Sequence, residues 1–280
     1  MKISLSTGSL YLYPLRRVFA LARETGYDGL EVALGPGGIP SDGSGLRRLS
    51  QEYGLPIFSI HPPMVALPGR SHHHRLLPQM ALLACELECQ FIVIHAPKAR
   101  SLSQGIGEEY VAAVDECVES LKGASPRLCL ENQAVFRPED REYTLCAPHD
   151  LQAFAERHGV LVTLDTAHAA SFPYSILEAY EALGSMVVNV HLSDFRQGLS
   201  IPPWFNFHSY FKHHQMPGEA DLPLVAFLER LKKDGYDGVI TVEVSPFSLR
   251  AWRPGLVREN LRRCLDFVRD AMGLDRRGRP

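Results

Sequence analysis

Eight short apolar runs, each followed by a longer segment of helical period, most tightly constrain how this 280-residue chain folds. The runs are Ile3–Thr7, Leu30–Leu34, Ile57–His61, Phe91–His95, Arg127–Glu131, Leu161–Asp165, Val187–His191 and Val239–Val244. Phe91-Ile92-Val93-Ile94 and Val187-Val188-Asn189-Val190 are apolar on both faces, as parallel strands covered on both sides must be. Helical periodicity predicts the intervening segments Leu15–Thr25, Gly45–Tyr53, Leu76–Glu88, Glu109–Lys122, Pro148–His158, Ile176–Leu183, Leu222–Asp234 and Pro254–Met272. A glycine follows Thr25, Tyr53, His158 and Leu183, where a left-handed cap would end each helix. The pattern predicts an α/β fold, a (β/α)8 barrel in one domain over residues 1–274, with a frayed tail at 275–280. Gly26-Tyr27-Asp28-Gly29 and Gly235-Tyr236-Asp237-Gly238 read equally as an internal repeat or as two similar helix-to-strand turns.

The ends of the strands carry the chemical information. His61 ends the third, His95 the fourth, Glu131 the fifth, Asp165 the sixth and His191 the seventh, while Glu243 lies in the eighth. His61, His95, Glu131 and Asp165 are 34, 36 and 34 residues apart, one strand–helix unit each. A barrel gathers the C-terminal ends of its strands around one opening, so these groups converge. One such residue would be an ordinary rim group; six strands ending alike point to a shared cation. Mixed imidazole and carboxylate ligands suit Zn, Mn, Fe or Co better than Ca or Mg. His168, three residues beyond Asp165, is either a ligand or a hydrogen-bonding neighbour of one. Glu31 reads as a buried structural carboxylate, and Asp194 as a group that orients His191 or caps its turn. The run His72-His73-His74 reads as solvated.

A long connection from Phe195 to Asp221 follows the seventh strand, and reads equally as a lid over the mouth or as a subunit contact in a homo-oligomer. It holds Trp204, a candidate substrate contact, Arg196 and Lys212, candidate anchors for an anionic substrate group, and His214, a further candidate ligand.

A formal net charge of −3 gives no general basic field to attract nucleic acid. No apolar run approaches the roughly 18 residues of a membrane span, and the N-terminus shows no signal-peptide pattern. Six cysteines without a C-x-x-C pair fit a reduced, cytoplasmic protein, with Cys85 and Cys89 read as buried small residues.

Ser59-Ile60-His61-Pro62-Pro63, Val93-Ile94-His95-Ala96-Pro97, Leu130-Glu131-Asn132, Leu164-Asp165-Thr166-Ala167-His168, His191-Leu192-Ser193-Asp194, Pro217-Gly218-Glu219 and Val242-Glu243, in this order, resemble the xylose isomerase-like TIM barrel superfamily. That superfamily groups sugar phosphate isomerases and epimerases with endonuclease IV. The isomerase and epimerase branch implies a divalent metal (Zn, Mn, Co or Mg) on Glu131, Asp165, His191 and Glu243, and a small sugar, sugar phosphate or polyol-derived ketose as substrate. Glu131 and Glu243 would then exchange protons on two faces of a carbon while the metal stabilises the enediolate, with His168 and Arg196 on substrate oxygens. The endonuclease IV branch implies up to three zinc ions and phosphodiester hydrolysis in nucleic acid. His61, His95 and Glu131 would hold one ion, the four residues above a second, and His168 and His214 part of a third. That pattern has Asp where Lys212 stands, two residues before His214.

Overall fold

The computed structural model describes residues 1–35, 39–40, 42–63, 72–201 and 211–274. Eight parallel strands close into a barrel in sequence order: β1 (Lys2–Ser6), β2 (Gly29–Ala33), β3 (Ile57–His61), β4 (Phe91–His95), β5 (Arg127–Glu131), β6 (Leu161–Asp165), β7 (Val187–Leu192) and β8 (Val239–Val242). β1 pairs with β8 from Lys2 opposite Val239 to Leu5 opposite Val242, which completes the ring. The helices Leu15–Thr25, Ser44–Tyr53, Leu77–Glu86, Ile106–Ser120, Pro148–His158, Ile176–Leu183, Leu224–Lys233 and Pro254–Met272 follow the strands in turn. Each packs an apolar face on the barrel, as Val18, Phe19, Leu21 and Ala22 do for the first and Val257, Leu261, Leu265 and Val268 for the last.

Element identities match the sequence expectation and boundaries shift by a few residues. β8 stops at Val242, so Glu243 lies one residue beyond the strand, although its N–H still donates to the Leu192 carbonyl at 3.2 Å. Gly26, Gly54 and Gly159 adopt the expected left-handed caps. Gly184 does not: φ 53°, ψ −134° lies outside the left-handed helical region, and the chain turns there into a short 3-10 segment, Gly184–Met186. The echo between Gly29 and Gly238 has a steric reason. A Cβ at Gly29 would lie 2.6 Å from the Pro56 carbonyl oxygen, and one at Gly238 would lie 2.2 Å from that of Val188. Both glycines admit a neighbouring backbone at the bottom of the barrel, as two similar turns would require.

Two irregularities lie beside the strand ends that matter most. Register shifts between Leu30 and Glu31 on β2 and between Val162 and Thr163 on β6. Bulges of this kind re-aim side chains, and these two precede buried carboxylates. No helix among the described residues is long and apolar enough to cross a membrane. All six cysteines are free; Cys85 is exposed, against expectation, because it lies on the outward side of its helix. Residues 275–280, expected to be frayed, lie outside the described residues.

Candidate active site

β5 and β6 are fastened together at their C-terminal ends by one side chain. Asn132, just past β5, accepts from the Asp165 backbone N–H at 2.7 Å and donates to the Asp165 carbonyl at 3.1 Å. Asp165 is thereby held at the start of a short helix, Thr166–Ala169, whose His168 N–H it caps through Oδ1 at 2.7 Å. The other carboxylate oxygen, Oδ2, lies 3.9 Å from His214 Nδ1.

Ligand atoms of Glu131, Asp165, His191 and Glu243 all lie within 4.8 Å of one another, on side chains at most 3% exposed. Each of the four carries one buried polar atom with no hydrogen-bond partner among the described residues: Glu131 Oε1, Asp165 Oδ2, His191 Nδ1 and Glu243 Oε1. His191 Nδ1 lies 2.9 Å from Glu243 Oε2 and 3.4 Å from Glu131 Oε1, yet at angles that make no hydrogen bond. Three carboxylates crowded together out of water are strongly unfavourable unless a positive charge joins them. Donor atoms that converge on one point without bonding each other are what a divalent cation requires, and the donor set fits one.

The imidazoles are oriented from outside. His191 donates from Nε2 to Glu31 Oε2 at 3.0 Å, and Glu31 also accepts from Ser59 Oγ at 2.8 Å. His61 donates from Nδ1 to the Pro62 carbonyl at 2.7 Å, and His168 from Nδ1 to the Asn132 carbonyl at 3.0 Å. A carbonyl or carboxylate partner only accepts, so each bond fixes which ring nitrogen keeps its proton and leaves the opposite one to give up its own when a ligand binds.

A second group adjoins the first. His61 Nε2, His95 Nε2 and Glu131 Oε2 form a triangle with edges of 3.1, 3.0 and 3.3 Å. Donors bound tetrahedrally at 2.0–2.1 Å stand about 3.3 Å apart, so this triangle also matches a cation. Glu131 is common to both groups: Oε2 faces His61 and His95, whereas Oε1 lies 3.4 Å from His191 and 3.2 Å from His168. Asp165, His168 and His214 make a third group. His214 adopts a φ of 50°, and its Nδ1 lies 3.2 Å from Ser193 Oγ and 3.9 Å from Asp165 Oδ2.

Burial alone would discharge these groups, but the opposing charges prevail. Burial would lower His61 and His168, yet Glu131 beside the first and Asp165 with Glu131 beside the second raise both to about 9. His191 is likewise raised well above 6.5 against its burial by Glu31, Glu243 and Glu131. Burial would raise Glu243, but His191 above all draws it down to about 2, and Glu131 falls well below 4.5 for the same reason.

The structure thus brings together every strand-end residue singled out from the sequence, with His168 and His214. The other candidates stand apart. Arg196 is exposed, its backbone paired with that of Lys212. The Lys212 ammonium lies over the Phe195 ring, 5.3 Å from its centroid. Trp204 is outside the described residues. Asp194 does not orient His191: its carboxylate accepts from the N–H groups of Phe195, Gly218, Ala220 and Leu222 and so shapes the later part of the loop after β7. Nor is the histidine run solvated: His74 is buried against Tyr110, and His73 packs on His95. Sequence reasoning set Glu31 aside and gave Asn132 no role. The signal for Glu31 was a charge inside a strand apolar on both sides, which cannot be buried without a partner.

Comparison with known proteins bears on this arrangement. The family described as xylose isomerase-like TIM barrel matches residues 19–267. An uncharacterized Mycobacterium tuberculosis protein is 26% identical over 275 residues, covering 90% of this chain and 91% of that one. Fructoselysine 3-epimerase of Escherichia coli O157:H7 is 24% identical over 271 residues, covering 87% and 90%. Among solved structures, D-psicose 3-epimerase from Clostridium cellulolyticum H10, crystallised with D-tagatose, superposes with a TM-score of 0.73 at 18% identity, covering 97% of this chain and 99% of that one.

Proposed function

This chain belongs to the xylose isomerase-like TIM barrel family, and we propose that it is a divalent-metal-dependent epimerase or isomerase of a small ketose, sugar phosphate or related sugar. The observation that carries this reading is the buried quartet of Glu131, Asp165, His191 and Glu243, each with an unpartnered polar atom. The likeness to epimerases acting on sugars supports it.

Glu131, Asp165, His191 and Glu243 would hold the cation. When bound, it would polarise the substrate carbonyl and stabilise the negative charge that develops as the neighbouring proton leaves. Glu131 and Glu243 reach the centre from β5 and from just beyond β8, three strands apart around the ring. One takes the proton from the carbon beside the carbonyl and the other returns one to the opposite face, which inverts that carbon. The free ring nitrogen of His168 binds a substrate oxygen.

The experiment is solvent exchange. A panel of ketoses incubated with metal-loaded protein in heavy water acquires deuterium at the α-carbon of the substrate, and acquires none after chelation. No exchange with any ketose overturns the proposal.

The His61–His95–Glu131 triangle favours a second reading, a hydrolase of two or three metals acting on a phosphodiester such as abasic DNA. Its third position lacks a carboxylate two residues before His214, where Lys212 stands. Nicking of abasic DNA by protein that exchanges no ketose proton would select it.

A further inference from the structure

His73 carries a buried nitrogen that none of the three groups of candidate ligands uses. It opens the short 3-10 turn His73–Leu76, after the strand that ends in His61. The turn is held by the two residues that follow His73: His74 is buried against the Tyr110 ring, with its Nε2 3.7 Å from Glu109, and Arg75 pairs with Glu109 at 2.7 Å. The His73 ring therefore has a fixed place, 5.5 Å from the His95 ring centre and tilted 50° to it. Its Nε2 is buried and makes no hydrogen bond among the described residues. Such a nitrogen is costly to leave unmatched, and in a folded protein it normally meets water or a ligand.

The position suggests which. The His95 side chain is 31% exposed, against 3% for His61 and 1% for Glu131, so the cluster opens outward on the His95 side. The His73 ring packs on His95. Resting on the epimerase or isomerase reading, we propose that His73 is a substrate-binding residue whose Nε2 hydrogen-bonds a hydroxyl of the sugar bound beside His61 and His95. An imidazole edge there both donates and accepts through the same nitrogen according to tautomer, which suits a hydroxyl.

The test uses full-length protein loaded with Co(II), whose visible spectrum reports both metal uptake and oxygen ligands. D-fructose, D-psicose and D-tagatose are titrated into wild type, His73→Phe and His73→Gln. The proposal expects equal cobalt uptake in all three proteins. It expects sugar binding weakened about tenfold in His73→Phe, and restored to within about threefold of wild type by His73→Gln, which keeps a hydrogen-bonding end. Unchanged sugar affinity in His73→Phe overturns it. Loss of cobalt from both variants also overturns it, because His73 would then only support the His95 ring. A wild type that takes up cobalt but responds to none of the three sugars denies the hydroxyl ligand and overturns it while leaving the metal site standing. A wild type that takes up no cobalt overturns the functional reading as well.

Discussion

His191 donates to Glu31 across 3.0 Å, and solvent reaches neither side chain. That bond turns the ring so that Nδ1 faces Glu131, Asp165 and Glu243, and Ser59 holds the Glu31 carboxylate in turn. Outer partners of this kind set both the orientation and the basicity of a ligating imidazole. Glu31→Gln is therefore expected to weaken metal binding about 10- to 100-fold while the circular dichroism spectrum stays unchanged. A competition titration against a chromophoric chelator measures the change, and wild-type affinity would show that the bond has no bearing on the metal.

Glu243→Gln tests proton transfer. The amide preserves shape but neither takes up nor delivers a proton at working pH. Deuterium incorporation into a responsive ketose is expected to fall by about 10²- to 10⁴-fold, the usual contribution of a general acid or base. Thermal unfolding of the variant controls for folding, and undiminished exchange would remove Glu243 from the chemistry.

Metal-free protein carries its own signature of pH. The rings of His61 and His168 are raised from 6.5 to about 9, because Glu131 and Asp165 outweigh the burial that opposes their charge. Raised values mean stabilisation that is complete below pH 6.5 and disappears as the pH climbs through 9. Glu243, drawn from 4.5 to about 2 chiefly by His191 against its own burial, adds stabilisation above pH 4.5 that is lost as the pH falls through 2. Denaturant titrations of chelated protein should show stability declining between pH 6.5 and 9. The decline should be smaller in metal-loaded protein, whose ligating rings carry no extra proton. Equal declines would contradict the placement of these rings around a cation.

Much of this was legible in the chain. The barrel followed from eight apolar runs because a parallel strand buried on both faces leaves a continuous apolar imprint, and the converging residues followed because each ends or immediately follows such a run. Their partners were less visible. Glu31 precedes Val32 inside a strand, and nothing in the spacing says that a register shift turns it toward His191, 160 residues later. The histidine run looked solvated because three histidines in a row carry no periodicity; His74 packs on Tyr110 and His73 on His95, both from other strand–helix units. Arg196 and Lys212 were singled out by charge alone, and charge does not reveal which way a loop side chain leaves the backbone.

Asn132 offers a test of the link between β5 and β6. Asn132→Leu removes both its bonds to the Asp165 backbone and leaves the buried Asp165 N–H unmatched. A loss of about 2 kcal/mol in unfolding free energy is expected from denaturant titration, with weaker metal binding alongside. Wild-type stability would show that water replaces the amide without cost.

The most direct measurement is anomalous diffraction from crystals grown with Mn(II), recorded on both sides of the manganese absorption edge. The account predicts a peak within bonding distance of Glu131, Asp165, His191 and Glu243 together. Crystals with fully bound manganese elsewhere, or with none among these four side chains, would contradict it.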